Sequence, residues 1–162
     1  MLPPEKRLPE VRGLIEQQLY FVIHAPRQSG KTTCFRTLAE TLVREGACAA
    51  VHASCETAQP CGGDVEFAVT AVCESIVRQA HRQLPEALRP GALDMSLSGA
   101  SRLNELLRCW SERSPLPVVL FLDEIDALYD ESLISVLRQL RDGYPDRPRQ
   151  FPQSLALIGL RD

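Results

Sequence analysis

The sequence predicts an α/β fold built on a parallel sheet, and three observations carry that prediction. Short apolar, strand-like runs alternate along the chain with helical periodicities. One of them, "PLPVVLFLDE", is continuously apolar between prolines and acids, as a strand buried on both faces must be. The chain has 162 residues, 44% of them hydrophobic, which suffices for one domain with its own core.

Taken in order, Val11, Leu14 and Ile15 predict a short N-terminal helix, interrupted by Gly13. A first strand is expected over residues 19–25. Phe35, Leu38, Ala39, Leu42 and Val43 then recur at the spacing of an amphipathic helix face, and Gly46 stands where such a helix stops. "ACAAVHA", residues 47–53, predicts the second strand, followed by a loop through Pro60 and Gly62-Gly63. Asp64 is placed to cap a long helix whose stripe is Val65, Val69, Val72, Cys73, Ile76 and Ala80, with Pro85 ending it. "EALRPGALDMSLSG" reads as a connector, and Leu103, Leu106, Leu107 and Trp110 mark the next helix. After the buried strand, Leu128, Leu133, Ile134, Leu137 and Leu140 support one more helix. "GYPDRPRQFPQ" is a loop, "SLALIGL" is the last strand, and no internal repeat is present.

The net charge of -3 argues against a general polyanion-binding protein. No apolar run approaches the ~18 residues of a membrane span, and "MLPPEKRLPE" lacks the apolar stretch of a secretory signal. A cytoplasmic protein is expected. The six cysteines form no Cys-x-x-Cys pair and read as reduced thiols. Cys48, His52, Cys55 and Cys61 lie close together, but their spacing fits no usual zinc template; they read as small core residues plus a loop cysteine.

The stretch "HAPRQSGKTT" separates the first strand from the helix after it. The chain holds 16 arginines and only 2 lysines, Lys6 and Lys31, and one of the two sits here. A compact ammonium on a flexible stem suits a point charge lying along a loop, where a planar guanidinium would not. A loop leading into a helix N-terminus presents free backbone N–H groups and the positive end of the helix dipole, a ready phosphate site. Gly30 permits close backbone approach, Lys31 reaches the β- and γ-phosphates, and the Thr32 hydroxyl ligates Mg²⁺. In the Walker A pattern G-x-x-x-x-G-K-[ST], Ala25 stands at the first glycine, followed by Pro26, Arg27, Gln28 and Ser29.

"VVLFLDEIDAL" supplies the acidic partner. Its apolar strand ends in Asp123-Glu124, the form of a Walker B motif. Asp123 is expected to hold Mg²⁺ directly or through water, and Glu124 to polarise the attacking water as general base.

On these two motifs the chain resembles P-loop NTPases of the ASCE division, which place a glutamate after the Walker B aspartate. It is most similar to AAA+-type and STAND-like bacterial and archaeal ATPases whose phosphate loop reads "PRQxGKTT". The likeness covers residues 19–162, with 1–18 as a helical lead-in. It implies a three-layer α-β-α core with strand order 5-1-4-3-2, and ATP with Mg²⁺ over the carboxyl ends of the strands. It also implies an Mg²⁺-dependent ATP hydrolase working as a switch or motor module. By the same resemblance, Thr33 touches the α-phosphate. "LALIGLRD" matches the sensor-1 strand, with Arg161 in the place of the strand-end arginine of STAND-like members. Strand 5 and the helical lid would lie beyond Asp162. The expectation is therefore a truncated core with weak hydrolysis, which self-associates or continues into an effector domain.

Alternatives stay open at this stage. A module that holds ATP without turning it over is one. Nucleic-acid binding through Arg138, Arg141, Arg147 and Arg149 beside Tyr144 and Phe151 is another. A GTPase is disfavoured, because neither lysine lies in an Asn-Lys-x-Asp motif.

Overall fold

In the computed structural model, residues 4–24 and 30–159 are described. Helix α1 (Pro4–Glu16) leads into β1 (Tyr20–His24), α2 (Lys31–Arg44) and β2 (Ala49–Ser54). Helices α3 (Val65–Gln83) and α4 (Gly99–Arg113) come next, then β3 (Val118–Asp123), α5 (Asp130–Gly143) and β4 (Ser154–Gly159). The four strands are all parallel, in the order β1-β4-β3-β2, which is the 1-4-3-2 portion of the order the resemblance implied.

Period-two alternation along β3 divides the core between the two faces of the sheet. Val118, Leu120 and Leu122 join the cluster built with α3, α4 and α5. Val119 and Phe121 point the other way, into a cluster with Val11 and Ile15 of α1 and Phe35, Leu38, Ala39 and Leu42 of α2. The Phe35 and Phe121 rings meet edge to face at 5.1 Å, fixing α2 over the centre of the sheet. The predicted stripe of α3 is buried apart from its first residue, half-buried Val65. Asp64 caps that helix by accepting from the Phe67 N–H at 3.2 Å.

Several expectations need correction. Gly13 does not interrupt α1, which runs through both Pro9 and Gly13. One glycine costs about 1 kcal/mol in a helix interior, and burial of Val11 and Ile15 on either side offsets it. Leu128 is buried but lies outside α5, and Ile134 and Leu137 are 41% exposed. The buried face of α5 instead carries Ser132, Val136, Gln139 and Leu140. Polar residues occupy that face because they have partners there: Gln139 donates to the Gly99 carbonyl at 3.0 Å and accepts from the Asn104 N–H at 3.0 Å. The second strand begins two residues later than expected and extends through Ser54.

The connector before α4 is ordered by a buried guanidinium. Arg102 is 2% exposed. It pairs with Glu66 at 2.8 Å and also donates to Thr70 and to the Leu97 carbonyl. This joins α3, α4 and the connector at one point.

Candidate functional site

The carboxyl ends of parallel strands open onto one rim of the sheet, where the following loops converge. After β1 the chain reaches Gly30, which precedes α2 in the left-handed region at φ 78°. A side chain there would be strained, so glycine lets the helix start abruptly. The Gly30 carbonyl accepts from the Cys34 N–H at 2.9 Å. The first turn of α2 holds no acidic residue to oppose its positive dipole end, and Thr32 and Thr33 are exposed there.

Asp123 ends β3 on the α2 face of the sheet and is 1% exposed. Three donors among the described residues converge on its carboxylate. The Thr32 hydroxyl donates to Oδ2 at 2.9 Å, His52 Nε2 lies 3.0 Å from the same oxygen, and the Glu124 N–H donates to Oδ1 at 2.8 Å. Burial pushes the carboxyl up, but the bonds from His52, Thr32 and the Glu124 N–H outweigh it and hold the group below the usual aspartate range. Asp123 is therefore an anion. An anion only accepts, so the His52 proton resides on Nε2.

Glu124 follows in the left-handed region, φ 57° and ψ 39°, and opens a short 3₁₀ turn at Ile125–Ala127. The helix expected from Leu128 onward starts only at Asp130. A glutamate at positive φ carries strain of about 1–3 kcal/mol, which persists where surrounding structure imposes it. The turn sits tightly on the end of β4: a Cβ at Gly159 would meet Ile125 Cγ2 at 3.0 Å.

Gly30, Thr32, Thr33, Asp123 and Glu124 thus lie at one end of the sheet, and Thr32 touches Asp123. Ala25, Pro26, Arg27, Gln28, Ser29 and Arg161 fall outside the described residues, as does the Lys31 side chain. The arrangement has hard oxygen donors, a hydroxyl and a carboxylate anion 2.9 Å apart, and a helix N-terminus beside them. This is the donor chemistry Mg²⁺ takes, using few protein oxygens together with water and phosphate. Among the described residues no group of three His, Cys, Asp or Glu forms a metal cluster. Cys48 and Cys55 are buried, as their core reading requires.

His52 is the residue that sequence reasoning missed. It lies in β2, 3% exposed, and reaches diagonally across to Asp123 from opposite Phe121. The available signal was a single imidazole within the buried strand "AAVHAS". The expected arginine cluster is partly committed inward. Arg147 stacks 3.4 Å from the Tyr144 ring centroid and donates to the Tyr144 and Gln18 carbonyls, while Phe151 is fully buried. Arg138, Arg141 and Arg149 remain exposed. No helix among the described residues is long and apolar enough to cross a membrane.

A sequence model described as an AAA ATPase domain matches residues 10–156. No curated protein sequence matches the chain. Among solved structures, a chain in the complex of Drosophila ORC with poly(dA/dT) DNA and Cdc6 is similar, with a TM-score of 0.62 and 12% identity. That match covers 99% of this chain and 25% of the other. Cdc6p from Pyrobaculum aerophilum is similar with a TM-score of 0.57 and 20% identity, over 98% of this chain and 39% of that one. The present chain therefore spans between a quarter and two fifths of the length of these structural relatives. At these identities the likeness is one of fold.

Proposed function

Because the chain belongs to the AAA ATPase domain family, we propose that it binds ATP with Mg²⁺ at the rim between α2 and β3 and hydrolyses it, serving as a nucleotide switch or motor module. The observation that carries this reading is the contact between Thr32 Oγ1 and Asp123 Oδ2, 2.9 Å, which joins residues 91 positions apart. Those two side chains are the ones that a metal on the β- and γ-phosphates requires.

In this reading, the backbone N–H groups of residues 25–30 other than Pro26 donate to the phosphates, Lys31 neutralises the β- and γ-phosphate charge, and Thr33 donates to the α-phosphate. Thr32 and Asp123 would hold Mg²⁺, which would supply charge neutralisation to the phosphates. Glu124 orients a water for attack on the γ-phosphorus and takes its proton, while the bond from that phosphorus to the β-phosphate bridging oxygen breaks and ADP leaves. Arg161 senses the γ-phosphate. Residues 1–18 form a lead-in and 19–162 the nucleotide-binding core, with a downstream segment or a second copy of the chain as partner.

Nucleic acid enters as a second reading, since the Drosophila relative was solved with DNA and Arg138, Arg141 and Arg149 are exposed together here. A DNA titration against salt tests it: phosphate contacts give a steep negative slope of affinity with salt, and no binding rejects it.

Lys31→Ala tests the main reading. The variant should keep its thermal stability and lose ATP affinity by calorimetry. Unchanged affinity in a folded variant removes the phosphate-loop assignment.

A further inference from the structure

We propose that His52 is a positioning residue for the metal site: its Nε2–H fixes the Asp123 carboxylate in the rotation that lets Asp123 and Thr32 act together on Mg²⁺. The inference rests on the nucleotide reading above.

Three observations carry it. First, Thr32 and His52 both bond Oδ2, at 2.9 and 3.0 Å, while the Glu124 N–H holds Oδ1 at 2.8 Å. A carboxylate bonded on both oxygens cannot rotate about its Cβ–Cγ bond without breaking charge-assisted hydrogen bonds. Second, the imidazole is itself immobilised. It is 3% exposed, and its backbone is clamped on both sides: the His52 N–H donates to Gln83 Oε1 at 3.0 Å, and Gln83 Nε2 donates to the His52 carbonyl at 2.8 Å. Third, His52 Nδ1 is buried without a hydrogen-bond partner among the described residues. An unsatisfied buried acceptor is unfavourable, and an apolar side chain would fill the same space without it. Packing alone therefore does not account for a histidine here; the bond from Nε2 to Asp123 does.

The chemistry is that of an outer-shell donor. Groups of this kind orient a ligand without touching the metal, and their removal commonly lowers metal affinity about 10–100-fold. His52 touches neither substrate nor metal in this scheme and acts through Asp123 alone.

The experiment is a calorimetric titration of ATP into the protein at a series of Mg²⁺ concentrations, with thermal unfolding of every variant alongside. His52→Phe keeps the ring but removes the donor. His52→Asn keeps polarity but is too short to reach Asp123. His52→Gln returns an N–H close to the position of Nε2. Phe and Asn should raise the Mg²⁺ concentration for half-maximal ATP binding about tenfold, leave Mg²⁺-free nucleotide binding unchanged, and stay folded. Gln should restore most of the Mg²⁺ dependence. Wild-type Mg²⁺ dependence in His52→Phe, a loss that Gln does not repair, or unfolding of both Phe and Asn would overturn the proposal while leaving the nucleotide reading intact. If the wild-type protein itself binds ATP without regard to Mg²⁺, the metal-site reading fails and this proposal falls with it.

Discussion

The side-chain amide of Gln83 imitates a neighbouring strand for His52, accepting from its N–H at 3.0 Å and donating to its carbonyl at 2.8 Å. Among the described strands β2 pairs on one side only, with β3, so its outer edge would otherwise present unpaired backbone groups. α3 closes that edge from its last turn, and Ser75 adds a bond to the Ser54 carbonyl at 2.8 Å. Gln83→Leu should therefore cost about 1–3 kcal/mol, the usual penalty for buried groups left unbonded. Urea denaturation measures this; a loss within ~0.5 kcal/mol, the range of ordinary surface substitutions, would mean that water replaces the amide.

Asp123 and Glu124 should separate in their effects. Glu124→Gln should leave ATP and Mg²⁺ bound and slow single-turnover hydrolysis by roughly 10²–10⁴, the usual worth of a positioned general base. Asp123→Asn should instead weaken the Mg²⁺ dependence of binding. Wild-type hydrolysis in Glu124→Gln would remove the general-base role from Glu124, and absence of hydrolysis in the wild-type protein would leave a module that only holds ATP.

Acid should loosen the connector. The hydrogen bond from Arg102, reinforced by the Gly99 N–H, holds the Glu66 carboxyl below its ordinary value of 4.5. A group depressed in this way stabilises the fold above the ordinary value and loses that contribution as pH falls through the depressed one. Below that point Arg102 stays charged and buried without its counter-ion. Thermal stability should drop as pH falls below the ordinary value of 4.5, and Glu66→Gln should flatten that part of the profile while starting from lower stability at neutral pH. Parallel profiles for the two proteins would assign acid sensitivity to other carboxylates.

At the opposite edge of the sheet, β1 is paired with β4 alone among the described strands. Val22 on it is 55% exposed, beside Leu137 at 41%. An apolar strand edge of this kind recruits other chains. Val22→Lys should lower light scattering at high protein concentration without lowering thermal stability. A wild-type protein that stays monodisperse under the same conditions would sink this expectation.

How legible the molecule was in its sequence depended on what each residue answers to. β3 was readable because burial on both faces leaves no polar position in "VVLFL". Asp64 and the α3 stripe were readable because capping and period are local. α5 was not, since Gln139 is buried through hydrogen bonds to α4 that lie 35 and 40 residues away, and Ile134 turns outward despite its type. Within the site, the glycine, the threonines and the acidic pair were visible as motifs. His52 was invisible because its meaning depends on lying diagonally across from a residue 71 positions later, and the left-handed turn at Glu124 has no signature in a glutamate.

The strand order also has a consequence for how this chain is made. β4 is the last of the described strands in chain order, yet it lies between β1 and β3. Ser154 Oγ at its start bonds the Leu19 carbonyl, 135 residues earlier, at 2.7 Å. During vectorial synthesis β2 and β3 can pair first, while β1 lacks its strand partner among the described strands until β4 has been delivered. At about 5–20 residues per second, the stretch from His24 to Ser154 takes roughly 6–26 s to make, and the apolar "YFVIH" segment waits that long for its strand partner. The elements of the proposed nucleotide rim, α2 and β3, precede β4 in the chain, so β1 gains its strand partner only after that rim's residues have been made.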